Sequence, residues 1–156
     1  MAEDIIKIKG TREEQYQNLL PQIKALIAGE ANHIANMANI CAALKETFGF
    51  LWIGFYLVEN EELVLGPFQG PVACTRISFG KGVCGTSWKE ERIIIVDDVE
   101  QFPGHIACSS LSQSEIVVPV HYMNKIVGVL DVDSANLAEF NETDALHLKQ
   151  ICECIF

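Results

Sequence analysis

From Ser114 the chain reads SEIVVPVHYMNKIVGVLD, two apolar, β-branched segments separated by a short turn around Met123 and Asn124. Segments of this kind, Ser114 to His121 and Lys125 to Asp131, read as neighbouring strands. A connection so short forces the pair to be antiparallel, because a parallel pair needs a crossover of a dozen or more residues. Whatever else the chain does, it has to build a sheet around this hairpin.

The surrounding segments extend that sheet and cover it. Leu51 to Val58 is rich in aromatic and β-branched residues, and the acidic turn Glu59 to Glu62 leads from it into Leu63 to Pro67, a second hairpin. Arg76 to Phe79 and Ile93 to Val96 are further short strands. Ahead of them, Glu13 to Leu26 and Ala31 to Phe48 carry apolar residues at helical spacing, as in Leu19, Leu20, Ile23, Leu26 and Ile34, Met37, Ile40, Leu44. Asn141 to Ile155 closes the chain as a helix. The expectation is an α+β fold, a mostly antiparallel five- to six-stranded sheet with the N- and C-terminal helices packed on one face. With 156 residues, one domain over 1–156 is expected, with 1–48 as its helical N-terminal segment.

Charge narrows the partners. There are 21 acidic against 11 basic residues and a net charge of -10, with no basic cluster, so a phosphate backbone would be repelled. The opening MAEDIIKIKG lacks the apolar core of a secretion signal, and the apolar runs Ile93 to Val96 and Ile116 to Val120 are far too short to span a bilayer. No nucleic acid, no membrane and a cytoplasmic location are expected. In that compartment cysteines stay reduced, so the six present are core filler, metal ligands or redox groups before they are a structural disulfide framework.

The six cysteines fall in different settings. Cys41 falls on the apolar face of the second helix near Met37 and Leu44. Cys152 and Cys154 lie two apart on the last helix, where neighbours point in different directions and do not readily bridge. Cys74, Cys84 and Cys108 are separated by ten and twenty-four residues, which fits no compact zinc pattern, and no metal is expected. They are either small buried apolar residues or reactive thiols. Cys74 and Cys108 fall on the long connections Gly66 to Thr75 and Val96 to Gln113, where scaffold-held loops commonly build sites. Cys108 follows the Pro103-Gly104 turn among small residues; His105 could pair with it as a base, but sequence proximity does not establish contact and a lone loop histidine has many ordinary uses. Gly80-Lys81-Gly82-Val83-Cys84-Gly85 matches a dinucleotide-binding glycine pattern, but only Thr86 to Arg92 separate it from the next strand, too few for a crossover. A tight turn into one helical turn is expected there instead.

The acids offer a second focus. Glu115 opens one strand of the Met123-Asn124 hairpin, and Asp131 and Asp133 close the other. Alternation puts both aspartates on one face. If Glu115 meets them across the hairpin, the three form a carboxylate cluster able to hold an ammonium group or share a proton at raised pKa; otherwise they are a solvated strand end.

Taken together, GKGVCGTSW, IIIVDDVEQFPGHIACSS, SEIVVPV and GVLDVDS closely resemble the free methionine-(R)-sulfoxide reductases, a family with a GAF fold, and the likeness runs through most of the chain. The resemblance implies an oxidoreductase acting on free methionine sulfoxide, with Cys108 as the catalytic cysteine, Cys74 as the main resolving cysteine and Cys84 as an additional thiol. It implies that Glu115, Asp131 and Asp133 hold the substrate ammonium and help protonate the sulfoxide oxygen. Trp52 and Tyr56 would form an aromatic wall, and the backbone at Ile106 and Ala107 would receive the substrate carboxylate. It further implies no bound cofactor, an external dithiol such as thioredoxin with NADPH upstream, and a homodimer. A non-catalytic GAF module sensing a small molecule or an oxidant is the alternative that the same fold permits.

Overall fold

The computed structural model describes residues 4–156; the first three residues of MAEDIIKIKG, part of the reading against a targeting signal, lie outside them. In chain order the elements are α1 (Arg12–Ile27), α2 (His33–Phe48), β1 (Trp52–Glu59), β2 (Glu62–Gln69), β3 (Arg76–Ser78), α3 (Gly82–Glu90), β4 (Ile94–Val96), β5 (Ser114–Tyr122), β6 (Lys125–Ser134) and α4 (Glu142–Cys152). The strands form one sheet in the order β3-β2-β1-β6-β5-β4, and every neighbouring pair is antiparallel. This is the α+β arrangement expected, with six strands.

Strand alternation divides the interior in two. Ile53 and Phe55 of β1, Ile116, Val118 and Val120 of β5, and Leu130 and Val132 of β6 pack with α1, α2 and α4. The intervening residues Trp52, Tyr56, Val117 and Val129 belong to a second cluster with Val83 and Cys84 of α3. Because both faces are covered, the first seven residues of β5 are all buried, and Ile116 to Val120 within them reads as continuously apolar, with no alternation of polar residues.

The terminal helices are joined by one buried carboxylate. Asp144 accepts from Tyr16 Oη at 2.8 Å and from Arg12 Nη1 at 3.0 Å while its other oxygen accepts from the backbone N–H of Asn141 at 3.0 Å. It therefore completes the capping box of α4 and ties that helix to α1. α1 opens with its own capping box between Thr11 and Glu14.

Two expectations change. β2 continues through Gly66 and Pro67 to Gln69, so the connection bearing Cys74 is shorter than Gly66 to Thr75. Pairing with β1 resumes beyond an irregularity between Gly54 and Tyr56, a feature of register that no composition signal marks. The glycine segment opens a nine-residue helix, not one turn. Its two glycines are poor helix formers, and burial of Val83, Cys84 and Ser87 supplies what propensity lacks. Among the described residues no helix is long and apolar enough to cross a membrane.

Candidate active site

The site lies on the sheet face opposite α1, α2 and α4, and register alone assembles its floor. Glu115 of β5 stands opposite Asp133 of β6, Asp133 opposite Trp52 of β1, and Asp131 opposite Gly54. Directly opposed residues share a face, so the three acids and Trp52 converge. The cleft above them measures about 590 Å³ counted with its open mouth and is walled by Tyr56, Cys84, His105, Ile106 and Cys108, among others.

The aromatic wall depends on a missing side chain. A Cβ on Gly54 would sit 2.2 Å from Trp52 Cη2 and 2.6 Å from Phe68 Cβ, so only glycine lets the indole lie down over the strand. There it stacks beside Tyr56 at 5.9 Å and Phe68 at 5.4 Å between ring centroids. The polar ends of both aromatic groups reach the loop after β2. Trp52 Nε1 donates to the Pro71 carbonyl at 3.0 Å, and Tyr56 Oη donates to the Cys74 carbonyl at 2.9 Å.

Cys74 and Cys108 are joined as a disulfide, their Cα atoms 5.5 Å apart. Both half-cystines are partly exposed at the cleft. Cys84 is buried on the first turn of α3 without a disulfide partner, its Sγ 4.0 Å from Glu115 Oε1. Gly82, with φ at +60°, brings the start of that helix against Ile106, which a Cβ would approach to 3.1 Å. This contact joins the helix to the Cys108 loop.

Electrostatically the floor is crowded with one sign of charge. Burial, reinforced by the charge of Asp133, holds the Glu115 carboxyl well above the usual carboxylate range. Burial and the charges of Asp133 and Glu115 do the same to Asp131. Asp133 is pushed up to about 6 by burial, against the opposing effects of the Ser112 hydrogen bond and the nearby His105. Burial first, then Asp131, Glu115 and Asp133, drive the Cys84 thiol upward, so it is protonated at neutral pH. Asp131 Oδ1 is buried with no hydrogen-bond partner. The arrangement suits a guest that brings positive charge, and it keeps at least one carboxyl protonated as an acid.

Of the residues singled out in the sequence, Trp52, Tyr56, Cys84, Ile106, Cys108, Glu115, Asp131 and Asp133 line this cleft, and Cys74 reaches it through the disulfide. Ala107 does not line it. The N–H of Cys108 is occupied, donating to the Ile106 carbonyl at 3.0 Å. His105 does not act as a partner of a free Cys108 thiol in this disulfide form; its Nε2 lies 3.6 Å from Glu115 Oε2. Among the lining residues to which the sequence assigns no role, Lys81 and Ser112 stand out. Ser112 Oγ donates to Asp133 Oδ1 at 2.5 Å, and Lys81 is the one lysine or arginine on the wall. Neither carries a linear signal, since a serine in SSLSQSE and a lysine beside glycine have many ordinary uses.

The GAF domain family model matches residues 36–155. GAF domain-containing protein A of Dictyostelium discoideum is 62% identical over 156 residues, covering 99% of each chain. The free methionine-R-sulfoxide reductase of Escherichia coli is 45% identical, covering 90% of this chain and 86% of its own. The X-ray structure of free methionine-R-sulfoxide reductase from Neisseria meningitidis in complex with its substrate is 50% identical, with a TM-score of 0.96 over 99% of this chain and 93% of that one. The register that gathers three carboxylates beneath the Cys74–Cys108 disulfide thus occurs in a chain that belongs to the GAF domain family and, within it, to the free methionine-R-sulfoxide reductases.

Proposed function

We propose that this protein reduces free methionine-(R)-sulfoxide to methionine by thiol chemistry at Cys108. The observation that carries the reading is the Cys74–Cys108 disulfide placed at the mouth of a buried carboxylate cluster. In the reduced enzyme the Cys108 thiolate attacks the sulfoxide sulfur while Glu115 gives its proton to the sulfoxide oxygen. Methionine leaves and Cys108 carries the oxygen as a sulfenic acid. The Cys74 thiol then displaces that oxygen as water, forming the disulfide, and an external dithiol of the thioredoxin type, itself recharged from NADPH, reopens it by exchange.

The carboxylates divide the work. The substrate ammonium favours ionised Asp131 and Asp133 and relieves their repulsion, and Glu115 remains the protonated acid. The same neutralisation lowers the charge facing the Cys108 thiol, so the nucleophile is activated more in the complex than in the free enzyme. The methyl and methylene groups of the substrate lie against Trp52 and Tyr56, and Lys81 and the backbone near Ile106 face its carboxylate. A residue inside a peptide has neither the ammonium nor the carboxylate, which restricts the substrate to the free amino acid.

The test is methionine release from the separate R and S sulfoxides by wild type and Cys108→Ser, with dithiothreitol or a thioredoxin system as reductant. Turnover of the R form alone, lost in the variant, is the expected result. A folded, fully reduced wild type that releases no methionine would leave the protein a ligand-binding GAF module.

A further inference from the structure

The assigned reaction needs Cys74 and Cys108, but it does not account for the surroundings of Cys84. The Cys84 sulfur, one carboxylate oxygen of Glu115 and one of Asp131 all lie within 4.8 Å of one another, and Cys84 Sγ is 4.0 Å from Glu115 Oε1. In a tetrahedral zinc site, with Zn–S about 2.3 Å and Zn–O about 2.1 Å, neighbouring sulfur and oxygen ligands stand about 3.6 Å apart. The Cys84–Glu115 pair at 4.0 Å is within a few tenths of an ångström of that spacing, and donors at the 4.8 Å limit reach it by side-chain shifts of about an ångström. Independently of the cluster, Asp131 is only 7% exposed and its Oδ1 has no hydrogen-bond partner, a buried acceptor that calls for a cation or a donor. The three residues sit on α3, β5 and β6, elements that hold their spacing better than loops do.

The geometry points to a divalent-metal site formed by Cys84, Glu115 and Asp131, with its fourth position open to the cleft. A thiolate and only three protein donors suit zinc and its tetrahedral surrogates; magnesium and calcium need six or more oxygen ligands. A metal here stands where the substrate ammonium is proposed to bind, so it acts as an inhibitor that excludes the sulfoxide, not as a cofactor. Zinc can occupy the disulfide form as well as the reduced form, because Cys84 is free while Cys74 and Cys108 are joined.

The disulfide form isolates the site, since Cys84 is then the free thiol on the cleft; Cys41, Cys152 and Cys154 lie in or against the other core. Oxidised protein is titrated with Co²⁺ and then Zn²⁺. The expected result is a single Co²⁺ per chain with a thiolate-to-cobalt charge-transfer band, displaced stoichiometrically by Zn²⁺, lost in Cys84→Ser and retained in Cys154→Ser. Loss of a second-sphere partner already weakens metal sites 10–100-fold, so Asp131→Asn, which removes a ligand, should weaken Zn²⁺ by about a hundredfold or more; this near-isosteric variant serves if Cys84→Ser does not fold. Added methionine sulfoxide should raise the apparent Kd for Zn²⁺. Folded, oxidised wild type without the charge-transfer band overturns the inference, as does a band that survives unchanged in Cys84→Ser. Binding is read without turnover, so a failure here leaves the proposed reaction standing, and a failure of turnover leaves the metal site standing.

Discussion

Tyr56 donates its hydroxyl to the carbonyl of Cys74 at 2.9 Å, so a residue of the aromatic wall also fixes one end of the disulfide. Trp52 holds the same loop three residues earlier through Pro71. In the proposed cycle, substrate contact and the placing of the second thiol share these two side chains on β1, so a change at either is expected to affect two steps.

Tyr56→Phe separates those steps. The ring stays and the hydrogen bond goes, an interaction worth about 0.5–1.5 kcal/mol, equivalent to roughly a two- to tenfold change in how often Cys74 is correctly placed. Expected is a fall of that size in the rate of disulfide formation after one turnover, with the first equivalent of methionine released at nearly the wild-type rate. Rapid-quench measurement of methionine alongside free-thiol titration distinguishes the two. Equal slowing of both steps would show that the hydroxyl serves the chemistry itself.

Glu115→Gln tests the acid. Burial and the charge of Asp133 raise its carboxyl well above the usual carboxylate range, and a general acid must be protonated to act, so kcat in the wild type should fall as pH rises through that raised pKa. The amide cannot donate an acidic proton. A loss of about 10²–10⁴ in single-turnover methionine release is expected, together with disappearance of the alkaline fall. A variant that keeps that limb would transfer the acid's role to Asp131 or Asp133.

Gly54→Ala tests the seat of the indole. The added methyl meets Trp52 Cη2 at 2.2 Å and Phe68 Cβ at 2.6 Å; the first contact forces the indole to move, and the second, held by the backbone opposite Gly54, forces β1 and β2 apart. Overpacking of this kind costs about 1–3 kcal/mol of stability, and the displaced indole gives up its bond to Pro71. Thermal melting and steady-state kinetics should show a lower Tm and a raised KM. An unchanged KM in a destabilised but folded variant would remove Trp52 from the substrate wall.

Much of this was legible in the residues because strands carry their own geometry. The short turn at Met123 and Asn124 makes β5 and β6 antiparallel neighbours and pairs Tyr122 with Lys125, but an irregularity between Val120 and His121, which no residue type marks, shifts the register by one and so sets Glu115 opposite Asp133. The position of Trp52 across from Asp133 depends on β1 pairing with β6, a long-range choice with no local mark. The full length of α3 is not legible locally, because Gly82 and Gly85 lower helix propensity while the burial that stabilises the helix comes from distant strands. Ser112 reaches Asp133 across 21 residues of separation. The contact of His105 with Glu115 in place of a free Cys108 likewise follows from where the loop folds back, not from its spacing in the chain.

Asp133→Asn should make the protein more stable, and the sign depends on pH. Burial raises Asp133 to about 6 against an ordinary value near 3.9 in the unfolded chain. The folded state therefore binds its proton more tightly than the unfolded state, and stability is lost as pH rises from about 4 through about 6, then levels off. The full difference amounts to on the order of 3 kcal/mol at pH 8 and above. Asparagine keeps an oxygen for the Ser112 hydroxyl and carries no charge, so it escapes the penalty. The variant's Tm should exceed that of wild type at pH 8, with a clearly smaller gain at pH 5, while turnover falls because one anchor for the ammonium is gone. A gain of equal size at both pH values would assign the effect to packing; a loss at pH 8 would mean that the charged carboxylate is stabilised in the folded protein by a partner other than Ser112 and His105.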